Sequence, residues 1–163
     1  MTRVGITGHQ DREGMDWSWV RRSLRGALVT FGATEALSAL AEGSDQLFAE
    51  VAIELKVPVR AVVPFGTYEA FFHDEHVLMN YRRLLGQARR TNLDLHFPPE
   101  RAFFEAGKFI VDECQMLIAV WDGKPAEGLG GTADIVSYAR SRGRQIVWLD
   151  PFKAKIHREG SIS

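Results

Sequence analysis

Cysteine is nearly missing from this chain. Cys114 is the single one among 163 residues, so no intrachain disulfide forms and no cysteine-rich zinc site can be built. That usage is what a reducing compartment allows. Net charge is nearly missing too. Twenty Lys+Arg stand against 21 Asp+Glu, which removes the electrostatic argument for a dedicated duplex DNA binder, and no strong duplex nucleic-acid binding is expected. No run approaches the roughly 18 apolar residues that span a bilayer. The opening Met1-Thr2-Arg3-Val4-Gly5-Ile6 is too short an apolar stretch for a signal peptide, and its glycine comes too early. The chain also lacks a P-loop, the dinucleotide fingerprint G-x-G-x-x-G and the nucleophile elbow G-x-S-x-G. These absences predict a cytoplasmic protein with no membrane partner.

What is present is ordinary for a globular domain: 45% hydrophobic and 25% charged residues. A chain of this length buries about 70% of the surface its unfolded form exposes, which predicts one domain with one core and excludes intrinsic disorder. Short β-rich runs alternate with helical periods. Val4 to Thr7 reads as a strand ending at Gly8. Asp16 caps a helix to about Phe31, with Trp17, Val20, Leu24 and Leu28 on one face. Glu35 to Leu40 is a second strand, followed by a helix from Ser44 or Asp45 to about Lys56, and Val59 to Val63 is a third strand. After residue 100 the rhythm returns: a helix to Glu113, an apolar strand Gln115 to Trp121 of the kind buried on both faces, a helix Thr132 to Ser141 and a strand Gln145 to Leu149.

Residues 66–101 are less regular. Tyr68 to Phe72 suggests a helical turn, His76 to Arg90 a helix, and Leu93 to Phe97 a short strand. The expected architecture is a single α/β domain over residues 1–151, a Rossmann-like, doubly wound, mostly parallel sheet of five or six strands flanked by helices. Residues 66–101 would form a lid-like segment, and residues 152–163 a polar tail that frays.

In such sheets ligands sit outside the carboxyl ends of the strands, at the switch in strand order. Three segments fall there. Gly8 and His9 follow the first strand: Gly8 either serves only the turn or lets backbone N–H groups approach a ligand, and His9 is either a donor to an anion or an idle loop histidine. Gly43, Ser44 and Asp45 open a helix, with Asp45 favoured as its cap over a ligand contact. Asp122 to Thr132 holds Gly123, Gly128, Gly130 and Gly131 before a helix start. Its converging N–H groups, the helix dipole and the Thr132 hydroxyl make it the best phosphate cradle in the chain. Asp122 and Asp134 are the carboxylates placed for ribose hydroxyls or acid–base chemistry. His73 and His76 lack a third ligand, so no metal site is expected. Arg82, Arg83, Arg89 and Arg90 form either a lid over a phosphate or a solvated face. Tyr68, Phe71 and Phe72 are placed to stack on a base or, more simply, to pack in the core.

Taken in order, Val4-Gly5-Ile6-Thr7-Gly8-His9, Leu40-Ala41-Glu42-Gly43-Ser44-Asp45, Ala61-Val62-Val63-Pro64-Phe65, Ile118-Ala119-Val120-Trp121-Asp122-Gly123 and Gly130-Gly131-Thr132-Ala133-Asp134 resemble the SLOG superfamily. That group of Rossmann-like nucleotide-binding domains includes LOG-type phosphoribohydrolases, molybdenum-cofactor carriers and DprA/Smf proteins. The resemblance covers about residues 3–150. It implies a nucleotide or nucleotide-like phosphorylated ligand, held as by a sensor module, with no further cofactor required. Gly8, His9, Gly43, Ser44, Asp45, Asp122, Gly128, Gly130, Gly131, Thr132 and Asp134 are the expected contacts. It also raises N-glycosidic hydrolysis or transfer on nucleoside monophosphates, and carriage of a pterin-type cofactor. The Glu of the phosphoribohydrolase motif falls here on Ile135. Asp134 lies one residue early, about 100° around a helix, and with Glu127 it is the remaining catalytic candidate, so binding is favoured over catalysis. A homodimer or tetramer is compatible with the apolar stretches Phe71 to Leu85 and Phe103 to Ile110.

Overall fold

A computed structural model describes residues 1–126 and 128–160. The chain runs β1 (Arg3–Gly8), α1 (Trp17–Thr30), β2 (Glu35–Ser38), α2 (Ser44–Glu54), β3 (Val59–Val63), a 3-10 turn (Tyr68–Phe71), α3 (Glu75–Leu85), β4 (Arg89–Asn92), α4 (Pro99–Glu113), β5 (Met116–Val120), α5 (Thr132–Ser141), β6 (Gln145–Asp150) and β7 (Lys155–Glu159). One seven-stranded sheet has the order β4-β3-β2-β1-β5-β6-β7. All neighbours are parallel except β6 and β7. The chain winds outward from β1 to β4, returns to pair β5 with β1, and winds outward again. This is the doubly wound, Rossmann-like architecture that the strand–helix alternation predicts.

Side-chain alternation along the strands divides the core between the two faces. Val4, Ile6, Ile118 and Val120 pack with Leu24 and Leu28 of α1 and Phe48 and Ala52 of α2. Leu117 and Ala119 face the other way, onto Val111 of α4 and Ile135, Val136 and Ala139 of α5. Every residue of β5 is buried. Asp16 caps α1, its carboxylate accepting the Trp19 N–H at 3.0 Å, which satisfies one of the donors that a helix start leaves unpaired. Gly5 lets α4 lie against β1, since a Cβ there would stand 2.5 Å from Ile110 Cγ2.

Two segments differ from the sequence reading. The helix expected to run to Arg90 ends at Leu85, and the strand expected at Leu93 to Phe97 lies earlier, at Arg89–Asn92. As an edge strand, β4 is exposed at Arg89, Arg90 and Asn92, so it carries no apolar alternation to betray it. The left-handed backbone of Asp94 (φ 50°) interrupts the extended chain beyond it. The segment is anchored by Tyr68, Tyr81 and Leu84, all buried. The tail expected to fray instead forms β7, paired antiparallel with β6 from Ile146 opposite Glu159 to Asp150 opposite Lys155. His157 stacks on Trp148 at 4.5 Å between ring centroids, and Glu159 takes both guanidinium arms of Arg140 at 2.8 Å.

Hydrogen exchange should find protected amides within Lys155–Glu159, at rates well below those of an unstructured chain end. Ile118 is fully buried between Ile6 and Val147 in the ladder. Ile118→Ala is therefore expected to cost about 2–5 kcal/mol in chemical denaturation.

Candidate functional site

The switch in strand order falls between β1 and β5. Their carboxyl ends, Gly8 and Val120, are paired in register, while the following connections run to opposite faces of the sheet. A cleft of about 870 Å³ opens there. It stretches from the start of α5, across the ends of β5 and β1, to the start of α2 and the aromatic residues before α3.

His9 and Asp122 occupy the floor at the switch. The His9 N–H donates to Val120 O at 3.0 Å, and the Asp122 N–H donates to His9 Nε2 at 3.1 Å. An Nε2 that accepts a hydrogen bond belongs to a neutral ring whose proton is on Nδ1. Burial, then the charge of Arg12, lowers the His9 pKa against the pull of Asp122. The 3.3 Å contact between Nε2 and Asp122 Oδ1 becomes an ion pair only on protonation. Burial alone would raise the Asp122 pKa. The Lys124 N–H, His9 and Arg12 outweigh it and hold that carboxylate below its ordinary value. Both Asp122 oxygens are engaged, Oδ1 by the Lys124 N–H at 2.9 Å and Oδ2 by Arg12 at 3.2 Å.

The glycine-rich loop meets the cleft at the N-terminus of α5. Gly131 is the capping residue, and no side chain caps the helix. Thr132 is 9% exposed, lines the cleft, and its hydroxyl has no hydrogen-bond partner among the described residues. Gly130 is left-handed (φ 85°), and its N–H donates to Asp134 Oδ2 at 3.0 Å. That donor, expected to reach a phosphate, is thus committed within the loop. Asp134 is not among the residues lining the cleft. Ile135, at the position of the phosphoribohydrolase Glu, is buried where a Cβ on Gly107 of α4 would collide with it. Glu127 lies outside the described residues.

At the other end, the structure separates Gly8, Gly43 and Ser44 from the roles first weighed for them. A Cβ on Gly8 would stand 2.7 Å from the Ser44 side chain, and one on Gly43 2.8 Å from Gln10 Cα. The Ser44 hydroxyl is fully buried and donates to His9 O at 2.6 Å. These small residues seat the start of α2 against the end of β1. Gly8 still borders the cleft, as does Gly128, whereas Gly43 and Ser44 do not. Asp45 does line it, and it is not the helix cap: Gly43 holds that position (φ 85°) without a side-chain cap. The Asp45 carboxylate folds back instead, Oδ2 accepting the Ala41 N–H at 3.3 Å.

Aromatic residues wall this end, a feature the sequence offered only as core or stacking. Tyr68 is buried and its hydroxyl donates to Ala39 O at 2.9 Å. Its ring meets Phe72 at 5.1 Å and Phe103 at 6.0 Å, and Phe71 stands exposed at the lip. Three of the four arginines proposed as a lid pair with carboxylates: Arg82 with Glu69, Arg83 with Glu50 and Arg89 with Glu35. Among the described residues no three metal-ligating side chains cluster, and no helix is long and apolar enough to cross a membrane.

Burial raises the Asp45 pKa to about 7. A folded-state pKa above the unfolded one gives stability that is complete below the unfolded value, near 3.8, and lost as pH rises through about 7. Thermal melts of wild type should therefore show a loss of stability between pH 4 and pH 7 that Asp45→Asn lacks, the variant gaining most on wild type at pH 8.

No family model matches the chain, and no curated protein matches it in sequence. Solved structures do. DNA processing protein A (DprA) from Streptococcus pneumoniae superposes with a TM-score of 0.66 at 17% identity, over 99% of this chain and 51% of that one. DprA from Helicobacter pylori, described in terms of its single-stranded DNA binding mode, gives 0.66 at 15% identity over 91% and 65%. TM1055, a structural-genomics target, gives 0.56 at 14% over 90% and 72%. The chain thus spans about half to two thirds of the DprA proteins it matches. The Helicobacter protein corrects one expectation: nucleic-acid binding occurs on this fold, so near-neutral charge is no ground for setting it aside. The likeness is one of fold alone, the Rossmann-like, doubly wound architecture described above.

Proposed function

We propose that the cleft at the β1–β5 switch binds a nucleotide or nucleotide-like phosphorylated molecule, with the phosphate at the start of α5. The observation that carries this is Thr132. This largely buried residue lines the cleft at the mouth of a helix that has no side-chain cap, and its hydroxyl has no hydrogen-bond partner among the described residues. First-turn N–H groups of Thr132 and Ala133, the helix dipole and that hydroxyl suit a phosphate. His9, whose Nδ1 has no hydrogen-bond partner among the described residues, adds a donor on the lining of the same cleft. The aromatic wall beyond Asp45 suits the flat base.

Binding is preferred here to N-glycosidic cleavage. That reaction needs a carboxylate at the anomeric centre, and among the described residues Ile135 and the internally bonded Asp134 supply none. Single-stranded DNA is a ligand class of the same chemistry, favoured by the fold shared with the Helicobacter DprA. Whether this chain takes it depends on the same phosphate site.

Titration calorimetry with nucleoside 5′-monophosphates, the matching nucleosides and a short single-stranded oligonucleotide tests the assignment. Thr132→Val should weaken phosphorylated ligands by roughly tenfold, the worth of one hydrogen bond to a charged group. An equal loss for the nucleosides, or none for the phosphates, would remove the phosphate from the start of α5.

A further inference from the structure

Resting on the nucleotide reading above, we infer that the Asp45 carboxyl reads the ligand's base and selects one carrying an exocyclic amino group over its oxo counterpart. The cleft is divided chemically. Its α5 end offers N–H and hydroxyl donors, and its other end is walled by the rings of Tyr68, Phe71, Phe72 and Phe103. A nucleotide anchored by its phosphate at α5 lays its base against those rings. Asp45 stands among them with one oxygen held by the Ala41 N–H, while Oδ1 has no hydrogen-bond partner among the described residues. Tyr68 is not its donor, because that hydroxyl is turned to Ala39 O.

A carboxylate partly withdrawn from water and short of donors is costly. An amino group on the ligand supplies what is missing, whereas a carbonyl oxygen at the same place meets it as acceptor against acceptor. The other carboxylates at the cleft differ. Asp122 has both oxygens engaged and Glu100 is exposed, while Glu42 is partly exposed like Asp45, but it is the charge of Asp45 that is felt at Tyr68 of the aromatic wall. His73, also on the lining, is exposed. The burial that raises the Asp45 pKa to about 7 is the cost an N–H donor would relieve.

Calorimetry at pH 8, where Asp45 is mostly ionised, compares adenosine with inosine 5′-monophosphate and cytidine with uridine 5′-monophosphate. Wild type should favour the amino member of each pair by roughly tenfold. Asp45→Asn keeps a carbonyl oxygen for the Ala41 N–H and turns an amide N–H₂ toward the base, so the preference should reverse. Equal affinities within both pairs for wild type overturn the inference, whether or not the variant folds, as does an amino preference that survives Asp45→Asn unchanged. If none of the four binds wild type, the nucleotide reading itself falls and takes this inference with it.

Discussion

The parallel pairing of β1 with β5 is the constraint on which the candidate site depends. Val4 through Gly8 lie in register with Met116 through Val120, although more than a hundred residues separate them. The helices that follow these two strands, α1 after β1 and α5 after β5, pack on opposite faces of the sheet. The crevice is a consequence of winding direction. Its floor is closed by two backbone donors, His9 N–H to Val120 O and Asp122 N–H to His9 Nε2. The second bond ties the ends of the two strands together.

From that frame follows a competition for polar groups. A cleft wall must satisfy its own donors and acceptors, yet a binding site needs some left open. Asp134 answers the Gly130 N–H, Asp122 answers Lys124 and Arg12, and Ser44 answers His9 O. Among the cleft-lining groups without a hydrogen-bond partner among the described residues are the Thr132 hydroxyl, the His9 Nδ1 and one oxygen of Asp45. Thr132, His9 and Asp45 all line the one cleft.

The central strands and their helices were legible because burial writes itself into the sequence. Met116–Val120 is apolar throughout and lies in the middle of the sheet, and Val20, Leu24 and Leu28 repeat at the helical period and are buried. The strands β4 and β7 were not legible, because strand formation at a sheet margin leaves Arg89, Arg90, Lys155 and His157 in water. Alternation reports which face is buried, and an edge strand buries little. The glycines misled in a related way. Gly8 and Gly43 announce that something approaches the backbone closely, but the sequence does not say what. Here the neighbours are Ser44 and Gln10 of the same chain. Asp45, second in its helix, has the position of a capping residue, and only the left-handed backbone of Gly43 turns the chain so that its carboxylate meets Ala41 instead.

Net charge failed as a guide to ligands for a physical reason that the structure makes concrete. The sum counts charges that are already neutralised by neighbours. Arg60 lies between Glu35 and Glu113, Arg82 is engaged by Glu69, and Arg140 is engaged by Glu159. It also omits the partial charges that matter most to an anion, those of backbone N–H groups at a helix start. First-turn N–H groups at the start of α5 add nothing to the count. The start of α5, which no side chain caps, presents such partial charges within a chain whose formal charges cancel to −1.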